Sequence, residues 1–227
     1  MENLDDTWIV IPVYNEGAVI NTVVEQTRKT FPNIVCVDDG SRDDSAEQAR
    51  AAGAHLVRHP VNLGQGAALQ TGIAYALSHG AGYVVTFDAD GQHRVEDALT
   101  MVRLARSGQA DVVLGSRFLE GAEHVPWLKR VVLRTVVKIS RTSRRLKLTD
   151  AHNGLRVLNR AAASRLRITM NGMAHASEIV SFLAVSGLRV KEVPVTVLYT
   201  EYSKSKGQSL INGVNILFDL SLRQRGA

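Results

Sequence analysis

Cysteine is all but missing. Cys36 stands alone among 227 residues, which rules out a disulfide within the chain and suits a reducing compartment. Long apolar runs are missing too. None approaches the roughly 18 uninterrupted apolar residues of a bilayer-spanning helix. The acidic start, Met1 to Asp6, lacks the basic flank and apolar stretch of a secretory signal. The expected location is therefore the cytosol, with peripheral contact at the cytosolic face of a membrane left open. No internal repeat, low-complexity tract or Pro/Gly/Ser-rich linker divides the chain. Residues 1–227 are accordingly expected to form one domain, with a first half to about 120 and a second from about 121. Hydrophobic residues at 45% and charged residues at 22% exclude a disordered chain. The net charge of +5 favours an anionic partner: a phosphate-bearing substrate, a membrane surface or nucleic acid.

What is present alternates regularly. Strands are expected at Thr7–Val13, Asn33–Asp38, His55–Arg58, Tyr83–Asp88 and Asp111–Ser116. Helices are expected between them at Gly17–Thr30, Ser45–Ala52, Gly66–Ser78 and Val95–Ser107. Unbroken apolar strands alternating with helices predict a mostly parallel sheet covered on both faces. In such sheets ligands bind at the carboxyl ends of the strands. Polar groups gather there: Asn15 and Glu16, Asp38 and Asp39, Asn62, Asp88 to Asp90, Ser116 and Arg117. The second half predicts a long helix at Trp127–Lys147, a turn into a short strand at Asp150–Arg156 and a helix at Ala176–Val185. An extended segment follows at Val190–Tyr199, put at a sheet edge by Pro194, then a last helix at Ser209–Arg223.

Phe87-Asp-Ala-Asp-Gly-Gln-His93 carries the sharpest chemical signal. Two carboxylates one residue apart, just past a buried strand, can reach one hard cation. Mg2+ or Mn2+ would keep open positions for a diphosphate. Gly91 permits the tight turn and Gln92 adds a neutral oxygen. Asp38-Asp-Gly-Ser-Arg-Asp43 can accept hydrogen bonds from a base or ribose, or can cap and turn into the next helix. Asn62-Leu-Gly-Gln-Gly66 offers amides at a helix start, where phosphate binds. It has neither P-loop nor dinucleotide spacing. Arg117 puts a permanent charge at another strand end.

Taken in order, Ile11-Pro-Val-Tyr-Asn-Glu16, Val37-Asp-Asp-Gly-Ser41, Asn62-Leu-Gly-Gln-Gly66, Asp88-Ala-Asp-Gly-Gln92, Gly115-Ser-Arg117, Asp150-Ala-His-Asn-Gly-Leu-Arg156 and Glu192-Val-Pro-Val195 resemble family 2 glycosyltransferases. They look most like the dolichol- or polyprenyl-phosphate mannose and glucose synthases. Asn153 and Leu155 stand where that family has Ser and Phe. The resemblance implies a GT-A fold and an inverting, Mg2+- or Mn2+-dependent transfer of a hexose from a UDP- or GDP-sugar to a polyprenyl phosphate. It implies that Pro12, Tyr14, Glu16, Asp39, Gly64, Asp88 and Ala89 bind the nucleotide sugar, and that Asp88, Asp90 and Gln92 bind the metal. Asp90, Arg117 and Asp150 are the catalytic candidates. Arg117, Arg130, Arg134 and Lys204 are candidates for the acceptor phosphate.

Arg130, Arg134, Lys138, Arg141 and Arg145 fall on one helical face with no acid among them. Such a stripe is either a solvated face or a contact for anionic lipid. Trp127 with Arg130 resembles the family's lipid-phosphate pair, and Arg134 replaces a small polar residue there. Tyr199 to Ser209 resembles a basic loop that closes over the diphosphate, making Tyr202, Ser203, Lys204 and Ser209 candidates alongside a plain surface loop. A phosphate acceptor needs no base, whereas a sugar hydroxyl would, and Asp150 or Glu178 could serve. Both acids can equally be caps or ion-pair partners. A saccharide acceptor, or a catalytically silent nucleotide-sugar-binding subunit working with a small membrane protein, remain alternatives. No nucleic-acid-reading module is recognisable, and His93, His152 and His175 lack zinc spacing.

Overall fold

The computed structural model describes residues 2–119, 146 and 148–198. The expected helix from Trp127, apart from Leu146, lies outside them. So do the loop from Tyr199, the final helix, and Arg130, Arg134, Tyr202, Ser203, Lys204 and Ser209.

Strands β1 (Thr7–Val13), β2 (Asn33–Asp38), β3 (His55–Arg58), β4 (Tyr83–Thr86) and β5 (Val112–Ser116) alternate with α1 (Ile20–Arg28), α2 (Ser45–Ala51), α3 (Gln65–Ser78) and α4 (Val95–Arg106). Then come β6 (Arg156–Asn159), α5 (Arg160–Arg165), α6 (His175–Ser186) and β7 (Val190–Pro194). The seven strands form one sheet in the order β3-β2-β1-β4-β6-β5-β7. Successive residues of β1 face opposite ways. Ile9, Ile11 and Val13 join the core under α1 and α4. Trp8 and Val10 join the one under α3, α5 and α6. Both faces are thus covered, as unbroken apolar strands require.

The alternating pattern did not show where β4 and β5 go. They are not neighbours: β6 lies between them, antiparallel to both, with Thr86 and Leu114 opposite Arg156. Pro194 does end an edge strand, β7. Helix α1 starts at Ile20 rather than Gly17 because the Gly17 amide donates to Asp43 Oδ2 at 3.1 Å and the Glu16 amide to Ser45 Oγ at 2.7 Å. The first helical turn is taken up in that loop brace. Among the described residues no helix is long and apolar enough to cross a membrane.

Candidate active site

The loops after β1 and β2 lock together. Asn15, in the left-handed region at φ 54°, donates its amide to Ser41 Oγ at 3.0 Å and accepts from the Arg42 amide at 2.9 Å. Pro12, opposite Val37 in the sheet, and Glu16 are carried by this braced pair, as is Tyr14, 42% exposed at its surface. Asp38 and Asp39 are both buried. Asp38 accepts from the Ser41 amide at 3.0 Å and pairs with Arg58 Nε at 2.9 Å. Asp39 lies 2.7 Å from His59 Nδ1 and accepts from the amides of Leu63 and Gly64 at 2.9 and 2.7 Å. The Gly66 amide donates to the Asn171 carbonyl at 2.7 Å. The amides of Leu63, Gly64 and Gly66, on the turn expected to offer amides to phosphate, thus have protein partners in this structure. Asp39 organises that loop, and Asp43 makes the turn into α2 by accepting from the Ser45 amide at 3.1 Å.

The metal candidates sit just past β4. Gly91, at φ +73°, bends the chain so that the Gln92 amide reaches Asp90 Oδ1 at 3.0 Å. Asp88 Oδ2 lies 2.9 Å from His93 Nε2, and Oδ1 accepts a long contact of 3.4 Å from Gln65 Nε2. Burial opposes ionisation of Asp88. His93, Arg156 and His175 nonetheless hold its carboxyl below the ordinary carboxylate range. Asp90 goes the other way: burial, then the charge of Asp88, pushes it up to about 6. Among the described residues no three His, Cys, Asp or Glu side chains converge on a point. A cation here would draw on Asp88 and Asp90, with Gln92, water and ligand oxygens completing its shell, a set that fits Mg2+ or Mn2+.

Ionised Asp90 is a penalty to the metal-free fold. Its folded pKa is raised, so the stability it contributes is present at low pH and lost as pH rises through about 6. Binding a cation requires that ionised form. The thermal stabilisation given by Mn2+ is therefore expected in full at about pH 7.5 and mostly gone by about pH 5. Equal Mn2+ shifts at both would detach Asp90 from the cation.

Sequence reasoning passed over Gly154. Its carbonyl accepts from Thr86 Oγ1 at 2.6 Å, and a Cβ there would overlap the Asp88 carboxylate. Gly154→Ala is expected to turn Asp88 aside and weaken Mn2+ binding by about 10- to 100-fold. Unchanged affinity in a calorimetric titration would count against this packing. The signal was the Asn-Gly pair in the quoted stretch, but only the fold brings it to Asp88.

Arg117 and Asp150 meet each other. Arg117 Nε and Nη2 donate to the two carboxylate oxygens at 2.6 and 2.8 Å, and the Arg117 amide adds a third bond at 3.2 Å. Glu192, on β7, accepts from the amides of Thr149 and Asp150 at 2.7 and 2.9 Å, fixing the backbone beneath the pair. Burial works against the Asp150 charge, yet Arg117 holds the carboxyl below its ordinary range. Glu178 accepts from the amides of Thr169 and Met170 and from the Thr169 hydroxyl, so it clasps a loop. Burial works against the charge of Arg156, only 3% exposed, and lowers its pKa; Asp88 and Asp150 offset part of that, linking the two halves of the site. Burial and the neighbouring arginines outweigh Asp150 and push His152 down to about 4, leaving it neutral.

A model of the family described as Glycosyl transferase family 2 matches residues 8–167. The UDP-N-acetylglucosamine–dolichyl-phosphate N-acetylglucosaminyltransferase of Methanococcus voltae is 29% identical over 241 residues, covering 96% of this chain and 96% of its own. The polyprenol monophosphomannose synthase of Mycolicibacterium smegmatis is 29% identical over 223 residues, covering 92% of this chain and 82% of its own. Among solved structures, the glucosyl-3-phosphoglycerate synthase of Mycobacterium tuberculosis, in complex with Mn2+, uridine-diphosphate and glucosyl-3-phosphoglycerate, is similar with a TM-score of 0.66. It is 19% identical over 92% of this chain and 78% of that one, a likeness of fold. The mostly parallel, helix-flanked sheet is the GT-A kind that the motifs implied.

Proposed function

The chain belongs to glycosyl transferase family 2, and from that premise we propose that it moves a hexose from a UDP- or GDP-sugar to a polyprenyl phosphate, with inversion. The observation that carries the choice of acceptor is the Arg117–Asp150 pair. A carboxylate gripped at both oxygens by a guanidinium, and held below its ordinary pKa, is a weak base. Glu178 is engaged with its own loop. A hydroxyl acceptor would need a base that these two acids supply poorly, while a lipid phosphate arrives already ionised. The names of the two relatives, one dolichyl-phosphate and one polyprenol, point the same way.

In this mechanism a phosphate oxygen of the acceptor forms a bond to the anomeric carbon as the bond from that carbon to the nucleoside diphosphate breaks. Asp88, Asp90 and Gln92 would hold Mg2+ or Mn2+, which supplies positive charge for the departing diphosphate. Tyr14, Pro12 and Glu16, with Asp39, Gly64 and Ala89, would bound the donor along the braced loops. Arg117 would face the acceptor phosphate, with Arg130 assigned to it by resemblance and Arg134 and Lys204 as further candidates. Lining up two anions is the protein's main task. Peripheral membrane contact follows from a lipid acceptor.

The test offers a panel of nucleotide sugars with Mn2+ to short polyprenyl phosphates and, separately, to free sugars. Glycosylated polyprenyl phosphate is the expected product and identifies the donor at once. Product on the sugars alone would reassign the acceptor.

A further inference from the structure

Resting on that reading of Asp88 as a metal ligand, we propose that His93 is a positioning residue that reserves one oxygen of Asp88 for the cation. The Asp88 carboxylate has two unequal oxygens. Both lie close to Gly154, but Oδ2 faces His93 Nε2 at 2.9 Å. Among the described residues the one hydrogen-bonding contact of Oδ1 is the long 3.4 Å approach of Gln65 Nε2. The more weakly engaged oxygen is the one a cation can take.

His93 is itself firmly seated. Its ring stands edge-on to Phe87, with centroids 5.3 Å apart, and its side chain is 5% exposed. Its backbone pairs with Val197, and the Leu198 amide donates to the Gln92 carbonyl at 2.9 Å. The same short segment begins where the Val195 amide donates to the Ser116 carbonyl at 3.0 Å, and continues where the Thr196 amide donates to Asp97 Oδ2 at 2.7 Å. Residues 195–198 therefore strap the metal turn to the strand end that carries Arg117. Among the described residues His93 Nδ1 is buried without a partner, and the ring's one polar side-chain contact is to Asp88. Metal-binding carboxylates are commonly oriented by such outer hydrogen bonds, whose loss weakens the metal by about 10- to 100-fold.

The experiment titrates Mn2+ into the metal-free chain with UDP, and again with GDP, reading free Mn2+ by its EPR signal. His93→Gln carries an amide nitrogen that reaches about as far as Nε2, whereas His93→Asn places one near Nδ1, too far from Asp88. His93→Asn is expected to bind Mn2+ about 10- to 100-fold more weakly, with His93→Gln within about threefold of the parent. Metal-free melting temperatures of the two variants separate this from a general loss of folding. Parent-like affinity in His93→Asn, or equal weakening in both variants while both still melt cooperatively, would overturn the proposal. No Mn2+ binding by the parent itself would overturn the metal reading, and this proposal with it.

Discussion

Replacing Asp90 with asparagine is expected to abolish Mn2+-dependent turnover, by about 100-fold or more, while raising the melting temperature of the metal-free chain. The two effects have one cause. Burial and the charge of Asp88 push Asp90 up to about 6, so near neutral pH the ionised side chain weakens the fold unless a cation joins it. Asparagine keeps an oxygen for the Gln92 amide, now 3.0 Å away, and drops the charge. The turn should survive, the penalty should vanish, and the response to Mn2+ should vanish with it. Activity assays and thermal melts with and without Mn2+ read all three. Near-parental turnover would overturn the assignment of Asp90.

The Arg117–Asp150 pair gives the second large effect. Its side chains are 17% and 2% exposed. Arg117→Ala strands a buried carboxylate, a change that costs about 3–5 kcal/mol and should lower the melting temperature by roughly 10 °C. Asp150→Asn keeps the shape and loses the charge, so it should destabilise less. Catalysis separates two roles for Asp150. If it holds Arg117, each single variant and the double variant should lose about the same activity, because all three lack the same unit. If it were the base, Asp150→Asn would be far the worse, and Arg117→Ala would leave a stronger base behind. The first pattern is expected. The second would favour a hydroxyl acceptor.

Much of the fold could be read from local pattern. The unbroken apolar run from Trp8 to Val13 predicted a strand buried on both faces, and polar clusters after such runs marked the candidate site. The unread parts depend on contacts between distant segments. Three amides of the Asn62–Gly66 turn looked available to phosphate, yet Asp39 takes two and the Asn171 carbonyl the third. Nothing within the turn shows that. Arg117 and Asp150 could each be singled out as candidates, but their grip on each other spans 33 positions. Arg156 looked like the end of a turn. Its burial follows from β6 entering the middle of the sheet, which four residues could not announce. His93 was considered only as a zinc ligand, because its contact with Asp88 depends on the Gly91 bend.

The slot filled by β6 also bears on how the chain comes off the ribosome. β4 and β5 emerge well before the strand that belongs between them, so each first presents a raw edge of unpaired main-chain groups. Neither can satisfy the other, since both pair with β6 instead. Gly154 and Arg156, which flank Asp88 in the finished protein, come with or just ahead of that late strand. A nascent chain stopped after β5 would carry its two acids on a half-closed sheet, and the surroundings of Asp88 cannot close before β6 has been made.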